Sequence, residues 1–102
     1  MNERPIPDAA RHDADAVEML RVWIANQGLH CSLKVGMYKE STDIPEERAW
    51  GTILADAARH VANALHSAYD ANQDESIEQI KRAFLAELSA PTSDADGGFV
   101  DP

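Results

Sequence analysis

The chain has 102 residues, of which 44% are hydrophobic and 26% charged, and its formal net charge is −9. Phosphate backbones and anionic lipid headgroups would repel such a chain, which argues against nucleic-acid binding and membrane docking. The length suits one domain, and no apolar run approaches the roughly 20 residues that span a bilayer.

The chain has a single cysteine, Cys31, which cannot form a disulfide within the chain. The first residues also lack the charged and then apolar layout of a secretory signal. Both features favour a cytoplasmic location, where thiols stay reduced. Because Cys31 lies between Leu29 and Leu33, we expect a buried and chemically inert thiol.

Residues 1–12 are predicted to form an extended arm, because Pro5 and Pro7 disfavour a helix there. Asp13 is a good N-cap, and a helix is predicted over residues 14–26. Gly28 would end this helix as a C-terminal glycine. The apolar stripe of the predicted helix is Val17, Leu20 and Ile24.

Residues 29–38 alternate between apolar and polar side chains, which predicts a strand with one buried face. No second strand of comparable quality is evident, and a strand without partners leaves its backbone groups unpaired. We therefore favour pairing of this strand with its own copy across a homodimer. The alternative is a short hairpin that turns near Gly36 and packs on three helices. The apolar side chains predicted at the homodimer interface are Leu29, Cys31, Leu33, Val35 and Met37.

A long helix is predicted to end at Tyr69, and Asp43 and Glu46 have the spacing of a capping box at its start. Its apolar and small residues cover roughly 200° of the helical wheel, which predicts packing on two sides. A last helix is predicted over residues 75–88, with Asn72 as its N-cap. The domain would span residues 13–90, and residues 91–102 read as an acidic, disordered tail.

The run WGTILADAARHVANA, which begins at Trp50, follows LRVW at Leu20–Trp23 and SLKVG at Ser32–Gly36. Together these segments resemble a family of small bacterial proteins designated domain of unknown function 5076. The resemblance extends over about residues 6–92 and implies a compact single domain in a bacterial cytoplasm. It implies no activity and no catalytic residues.

A polar cluster on the long helix is the one constellation with a chemical interpretation: Asp56, Arg59, His60 and Asn63. An aspartate can orient a histidine as a general base, and arginine with asparagine can hold an anion. The simpler interpretation is pairing on a solvated helix surface, since these side chains are three and four residues apart. His60 and His66 are six residues apart and do not face one way, so no metal site and no cofactor are predicted.

We therefore predict an α+β fold in the order helix, strand, long helix, helix. We interpret the chain as a small, acidic, cytoplasmic homodimer that acts as an interaction or adaptor module without catalytic activity. A free strand edge would allow a protein partner to bind by strand addition. The alternative is a small-molecule-binding or catalytic protein, with a pocket between subunits lined by the Asp56, Arg59, His60 and Asn63 cluster.

Overall fold

The structure is a computed structural model and describes residues 1–100. These residues form four α-helices and a three-stranded sheet of order β1-β2-β3, with β1 antiparallel and β3 parallel to β2. The predicted α+β class is thereby confirmed. The elements in chain order are α1 (Asp8–Arg11), β1 (Leu20–Ala25), β2 (Gly28–Lys34), α2 (Met37–Ser41), α3 (Glu46–Tyr69), α4 (Gln73–Ser89) and β3 (Ala95–Val100).

The helix predicted over residues 14–26 is wrong, because Leu20–Ala25 is strand β1. Asn26 and Gln27 have φ values of 50° and 60°, and Ala25 pairs with Gly28 across this two-residue loop. Positive φ at both loop residues matches the twist of a β-hairpin. Gly28 therefore begins β2 and does not end a helix. The apolar residues of β1 fit a period of two as well as the helical spacing that suggested a helix.

Strand β2 is the centre of the sheet, with β1 on one edge and β3 on the other. The prediction that this strand pairs with its own copy is wrong, because both of its edges are already occupied within the chain. The strand is also shorter than predicted and ends at Lys34. The alternative hairpin near Gly36 is wrong too, since Gly36 leads into α2 and the hairpin forms with the preceding segment.

The predicted disordered tail contains strand β3, which pairs in parallel with β2. Gly97, with φ of 135°, lies opposite Cys31, and a Cβ atom at Gly97 would overlap the carbonyl oxygen of Cys31. Gly97 thus allows a close approach of the two backbones within a segment predicted to be disordered. Residues 101–102 of the predicted tail lie outside the described residues. The proposed domain limits at residues 13 and 90 stay a prediction.

Helices α3 and α4 agree closely with the predicted long and last helices. The Asn72 side chain accepts a hydrogen bond of 2.9 Å from the backbone N–H of Glu75, so the predicted N-cap of α4 is confirmed. The capping box at α3 is wrong, because Pro45 occupies the N-cap position without a side-chain cap. Near the C-terminal end of α4, the carboxylate of Glu87 accepts hydrogen bonds from the backbone N–H and the hydroxyl of Thr92.

The chain divides into two halves that pack internally but share little contact. Among residues 1–100, extensive contacts join β1 to β2, β2 to β3, α3 to α4 and α2 to α3. The sheet therefore does not cover the α3–α4 hairpin. Over the residues whose exposure is described, only Gly36, Ala49 and Ala62 are buried. A folded chain with so small an interior leaves much apolar surface in water.

The N-cap of α4 gives a first test of the helical half. We expect Asn72→Ala to lower the free energy of unfolding by about 1 kcal/mol, because the N–H of Glu75 loses its acceptor. Gln73→Ala, one residue further into the same turn, is the matched control and should change stability little. Urea denaturation followed by circular dichroism measures both. Equal losses in the two variants would contradict the cap.

The two halves meet at Gly36, which is buried and has a φ of 99°. We expect Gly36→Ala to destabilise the protein by about 1–3 kcal/mol, because a side chain strains this left-handed backbone. Gly51→Ala is the control, since a Cβ there meets nothing within 4 Å. Inside helix α3 that alanine should stabilise by about 0.5–1 kcal/mol. The midpoints of thermal and urea unfolding should therefore fall for Gly36→Ala and rise for Gly51→Ala.

Candidate functional site

One face of the sheet is entirely apolar. In the strand register, Leu20 lies opposite Leu33, Val22 opposite Cys31 and Ile24 opposite Leu29. Phe99 of β3 lies beside Leu33 on the other side of β2. Residues paired across strands share a face, so these side chains form one surface. We call it the apolar sheet face, and its members are Leu20, Val22, Ile24, Leu29, Cys31, Leu33, Ala95, Gly97 and Phe99.

The other face of the sheet carries the polar side chains, among them Arg21, His30 and Ser32. The sheet is therefore amphipathic, which is typical of a sheet with one covered face. The apolar sheet face is nevertheless open: Val22 is 48% exposed, Ile24 75% and Phe99 69%. None of the helices within residues 1–100 packs extensively on it. An uncovered apolar surface of this kind indicates an interaction site.

A second apolar surface lies on α4, where Phe84, Leu85 and Leu88 are 47%, 52% and 67% exposed. Leu88 is four residues from Phe84 and three from Leu85, so its side chain neighbours both on the helix surface. We call them the α4 patch. On α3, Leu54 and Val61 are also partly exposed, at 39% and 49%. The helical hairpin thus has apolar surface that it does not bury itself.

Three of the five predicted interface residues, Leu29, Cys31 and Leu33, lie together on the apolar sheet face. Val35 and Met37 lie beyond the end of β2, and Met37 begins α2. Sequence reasoning missed the β1 residues and Phe99, which complete the face. The alternation of Leu20, Val22 and Ile24 with other side chains, followed by Asn26-Gln27-Gly28, is the signal that could have identified β1.

The predicted polar cluster lies on the surface of α3, where Asp56, Arg59, His60 and Asn63 are all exposed. Arg59 donates a hydrogen bond to Asp56 in an ion pair three residues apart. This is the contact expected for a solvated helix surface. Asp56 also borders an open hollow of 290 Å³ with Tyr38 and Arg48, whereas the other three members do not. The structure therefore does not bring the four side chains into one pocket.

The best-organised polar site is the carboxylate of Glu46 at the start of α3. Its Oε1 accepts hydrogen bonds from the backbone N–H groups of Tyr38 at 3.0 Å and Lys39 at 3.1 Å. Its Oε2 accepts one from the indole N–H of Trp50 at 3.0 Å. The carboxylate thus caps the N-terminus of α2, where backbone donors and the helix dipole favour negative charge.

These contacts determine how Glu46 titrates. Partial desolvation raises the pKa of Glu46, but hydrogen bonds from Gly36, Lys39, Trp50 and Tyr38 outweigh it and hold the pKa below 4.5, its ordinary value. The hydrogen bonds favour the ionised form because they are made to its charge. A structural cap requires the ionised form of the carboxylate, which a lowered pKa favours. Because a carboxylate with a lowered pKa binds a proton weakly, Glu46 would be a poor general base at neutral pH.

The N-terminal arm lies against β1 beside a half-open hollow of 640 Å³ bordered by Pro5, Val17 and Trp23. Arg21 in its wall donates hydrogen bonds of 2.9 Å to Glu18 and to Glu3 of the arm. The hydrogen bond and charge of Glu18, together with the weaker effect of Glu3, raise the pKa of Arg21. Because two carboxylates already neutralise this guanidinium, it is poorly placed to hold an anionic ligand.

Residues 1–100 contain no group of three or more His, Cys, Asp or Glu side chains positioned to hold a metal ion. None of the described helices is both long and apolar enough to cross a membrane.

Comparison with known proteins identifies a family and finds similar solved structures. The model of the family "domain of unknown function DUF5076" matches residues 3–92, which confirms the resemblance seen in the sequence. A solved structure from the photosynthetic bacterium Rhodopseudomonas palustrus CGA009, provisionally named a pyruvate dehydrogenase, is 30% identical with a TM-score of 0.66. The similarity covers 93% of this chain and 91% of that chain. The comparison with the curated proteins finds no match.

The depressed pKa of Glu46 gives a pH-dependent prediction. Since the folded pKa lies below the unfolded one, the carboxylate stabilises the fold fully above its ordinary value of 4.5 and less as pH falls through the folded value. We expect Glu46→Gln to lower the free energy of unfolding at pH 7 and to lose this effect progressively as pH falls below 4.5. Urea denaturation across this range measures the difference.

Glu47→Gln is the matched control, because Glu47 shares the first turn of α3 with Glu46 and is exposed. It feels the same helix dipole, but its carboxylate makes none of the cap hydrogen bonds found in residues 1–100. A pH-independent loss in Glu46→Gln, or an equal loss in Glu47→Gln, would contradict the cap.

Proposed function

The chain belongs to the DUF5076 family, and from that premise we propose that it is a homodimeric interaction module of the cytoplasm without catalytic activity. The observation that carries this proposal is the surface that the single chain leaves in water. A compact monomer of 11.2 kDa exposes about 5,700 Å². This chain exposes 8491 Å².

The excess of roughly 2,800 Å² per chain is large enough for a permanent interface, since obligate dimers bury roughly 1,000–2,500 Å² on each partner. The radius of gyration of 15.4 Å points the same way, because a compact chain of this length has about 13 Å. A second copy that covered the exposed apolar side chains would account for both values.

We place the interface on the apolar sheet face and not on a strand edge. Leu29, Cys31 and Leu33 remain proposed interface residues. They would contact the partner through their side chains and not through backbone hydrogen bonds at a strand edge. Val22 and Ile24 of β1 join them. Because these side chains are apolar and adjacent, covering them removes a continuous hydrophobic surface from water, at about 25 cal/mol per Å² before the costs of association.

A protein partner could still add a strand, but at a different position from the one first considered. Both edges of β2 are occupied, so only the outer edges of β1 and β3 remain for strand addition. An adaptor role would use one of these edges, or the surface of the dimer, for a second protein.

The alternative ligand-binding or catalytic role receives less support. It requires Asp56, Arg59, His60 and Asn63 to converge, and only Asp56 borders a hollow. The pyruvate dehydrogenase name belongs to the solved structure from Rhodopseudomonas palustrus CGA009. No feature described above for residues 1–100 favours transferring it to this chain.

The test is the solution mass of the wild type and of Ile24→Lys. We expect the wild type to have twice the 11.2 kDa of one chain by light scattering after gel filtration. Ile24 is 75% exposed, so it contributes little to the packing of its own chain. A buried, unpaired lysine at the interface should raise the Kd for dimerisation at least about thirtyfold.

Ala25→Lys is the matched control, because Ala25 is the next residue of β1, is exposed and points to the opposite face. Both variants make the chain less negative, so a general increase in charge repulsion cannot explain dissociation. A monomeric wild type at micromolar concentration would overturn the proposed function. A dimer that tolerates Ile24→Lys would remove the interface from the sheet.

A further inference from the structure

We propose that the apolar sheet face of each copy packs on the α4 patch of the other. In this reciprocal packing, each copy covers an apolar surface of its partner. This inference rests on the proposed homodimer and names the surfaces that meet in it. Each copy would contribute two surfaces to one two-fold interface: the sheet face, and the patch of Phe84, Leu85 and Leu88.

The chain contains both layers of a two-layer domain, a sheet and helices, but does not pack them on each other. An α+β domain buries the apolar face of a sheet against helices. Here the apolar sheet face and the α4 patch are both open, and α3 and α4 make no extensive contact with the sheet within residues 1–100. A second copy supplies the missing helix for the sheet and the missing sheet for the helix.

Reciprocal packing also covers a larger area than direct packing of one sheet on its copy. Three strands of about six residues measure about 20 Å by 14 Å, or roughly 300 Å² in projection. Packing one sheet directly on its copy would use only this surface of each chain, which is a small part of the excess of roughly 2,800 Å² that one chain exposes. Reciprocal packing uses the sheet and the helix of each copy, so it covers roughly twice as much.

Direct packing of one sheet on its copy would leave the α4 patch in water. Leu88 is 67% exposed and Leu85 is 52% exposed, and a sheet-to-sheet dimer would leave both unchanged in each copy. Reciprocal packing covers every large apolar side chain of both surfaces. It also satisfies two-fold symmetry, since each sheet meets the partner's helix and each helix meets the partner's sheet.

The experiment uses two dissociating variants of the full chain and mixes them. Ile24→Lys damages the sheet face and Leu88→Lys damages the α4 patch. If packing is reciprocal, each variant alone has two damaged contacts per dimer and should be largely monomeric at micromolar concentration. A mixed dimer has one undamaged contact, formed by the sheet of the Leu88→Lys chain on the helix of the Ile24→Lys chain.

We therefore expect equimolar mixing to restore a dimer of one chain of each kind. Native mass spectrometry identifies it, with one variant isotope-labelled because the two substitutions give the same mass. Circular dichroism before and after mixing shows whether each chain keeps or regains its helix content. Ala86→Lys is the control for Leu88→Lys, because Ala86 is exposed on the opposite side of α4, and it should stay dimeric.

The possible results separate the two proposals. A monomeric wild type overturns the proposed function and this inference with it. A dimeric wild type with a dimeric Leu88→Lys variant leaves the homodimer intact but overturns the reciprocal packing. Two monomeric or unfolded variants that do not form a mixed dimer also overturn it. Recovery of the mixed dimer, with Ala25→Lys and Ala86→Lys dimeric, supports it.

Discussion

The carboxylate of Glu46 is the contact that fixes α2, the segment that follows the sheet, against the start of α3. It accepts hydrogen bonds from the first turn of α2 and from Trp50 of α3. Since sheet and helical hairpin share little other contact, this cap determines how the end of β2 leads into α3. Gly36 makes the geometry possible, because its φ of 99° turns the backbone directly into α2. The position of the sheet relative to the hairpin thus depends on one charged group and one glycine.

Holding the halves together in this way leaves their apolar surfaces apart. A sheet with one apolar face and a helix with an uncovered apolar patch are the two layers of an ordinary α+β domain. In this chain they do not cover each other, and the accessible surface of 8491 Å² measures the consequence. The proposed homodimer would remove this apolar area from water without changing the fold of either chain.

Several charged side chains of the chain have local structural contacts. Glu46 caps α2, Arg21 is held by Glu18 and Glu3, and Arg59 pairs with Asp56. The ion pairs of Arg21 and Arg59 lie on an open surface, where such pairs contribute little free energy and are screened by salt.

The sequence by itself determined the family, the α+β class and the two long helices, because helical periodicity and the Asn72 cap are local signals. It also identified Leu29 and Leu33 as one apolar face, since alternation along a strand needs no knowledge of its partners. Only the tertiary structure decided that Leu20–Ala25 is a strand and that the tail around Gly97 joins the sheet. Strand pairing joins residues far apart in the chain, so its hydrogen bonds can override local helix and disorder signals that the sequence alone cannot weigh.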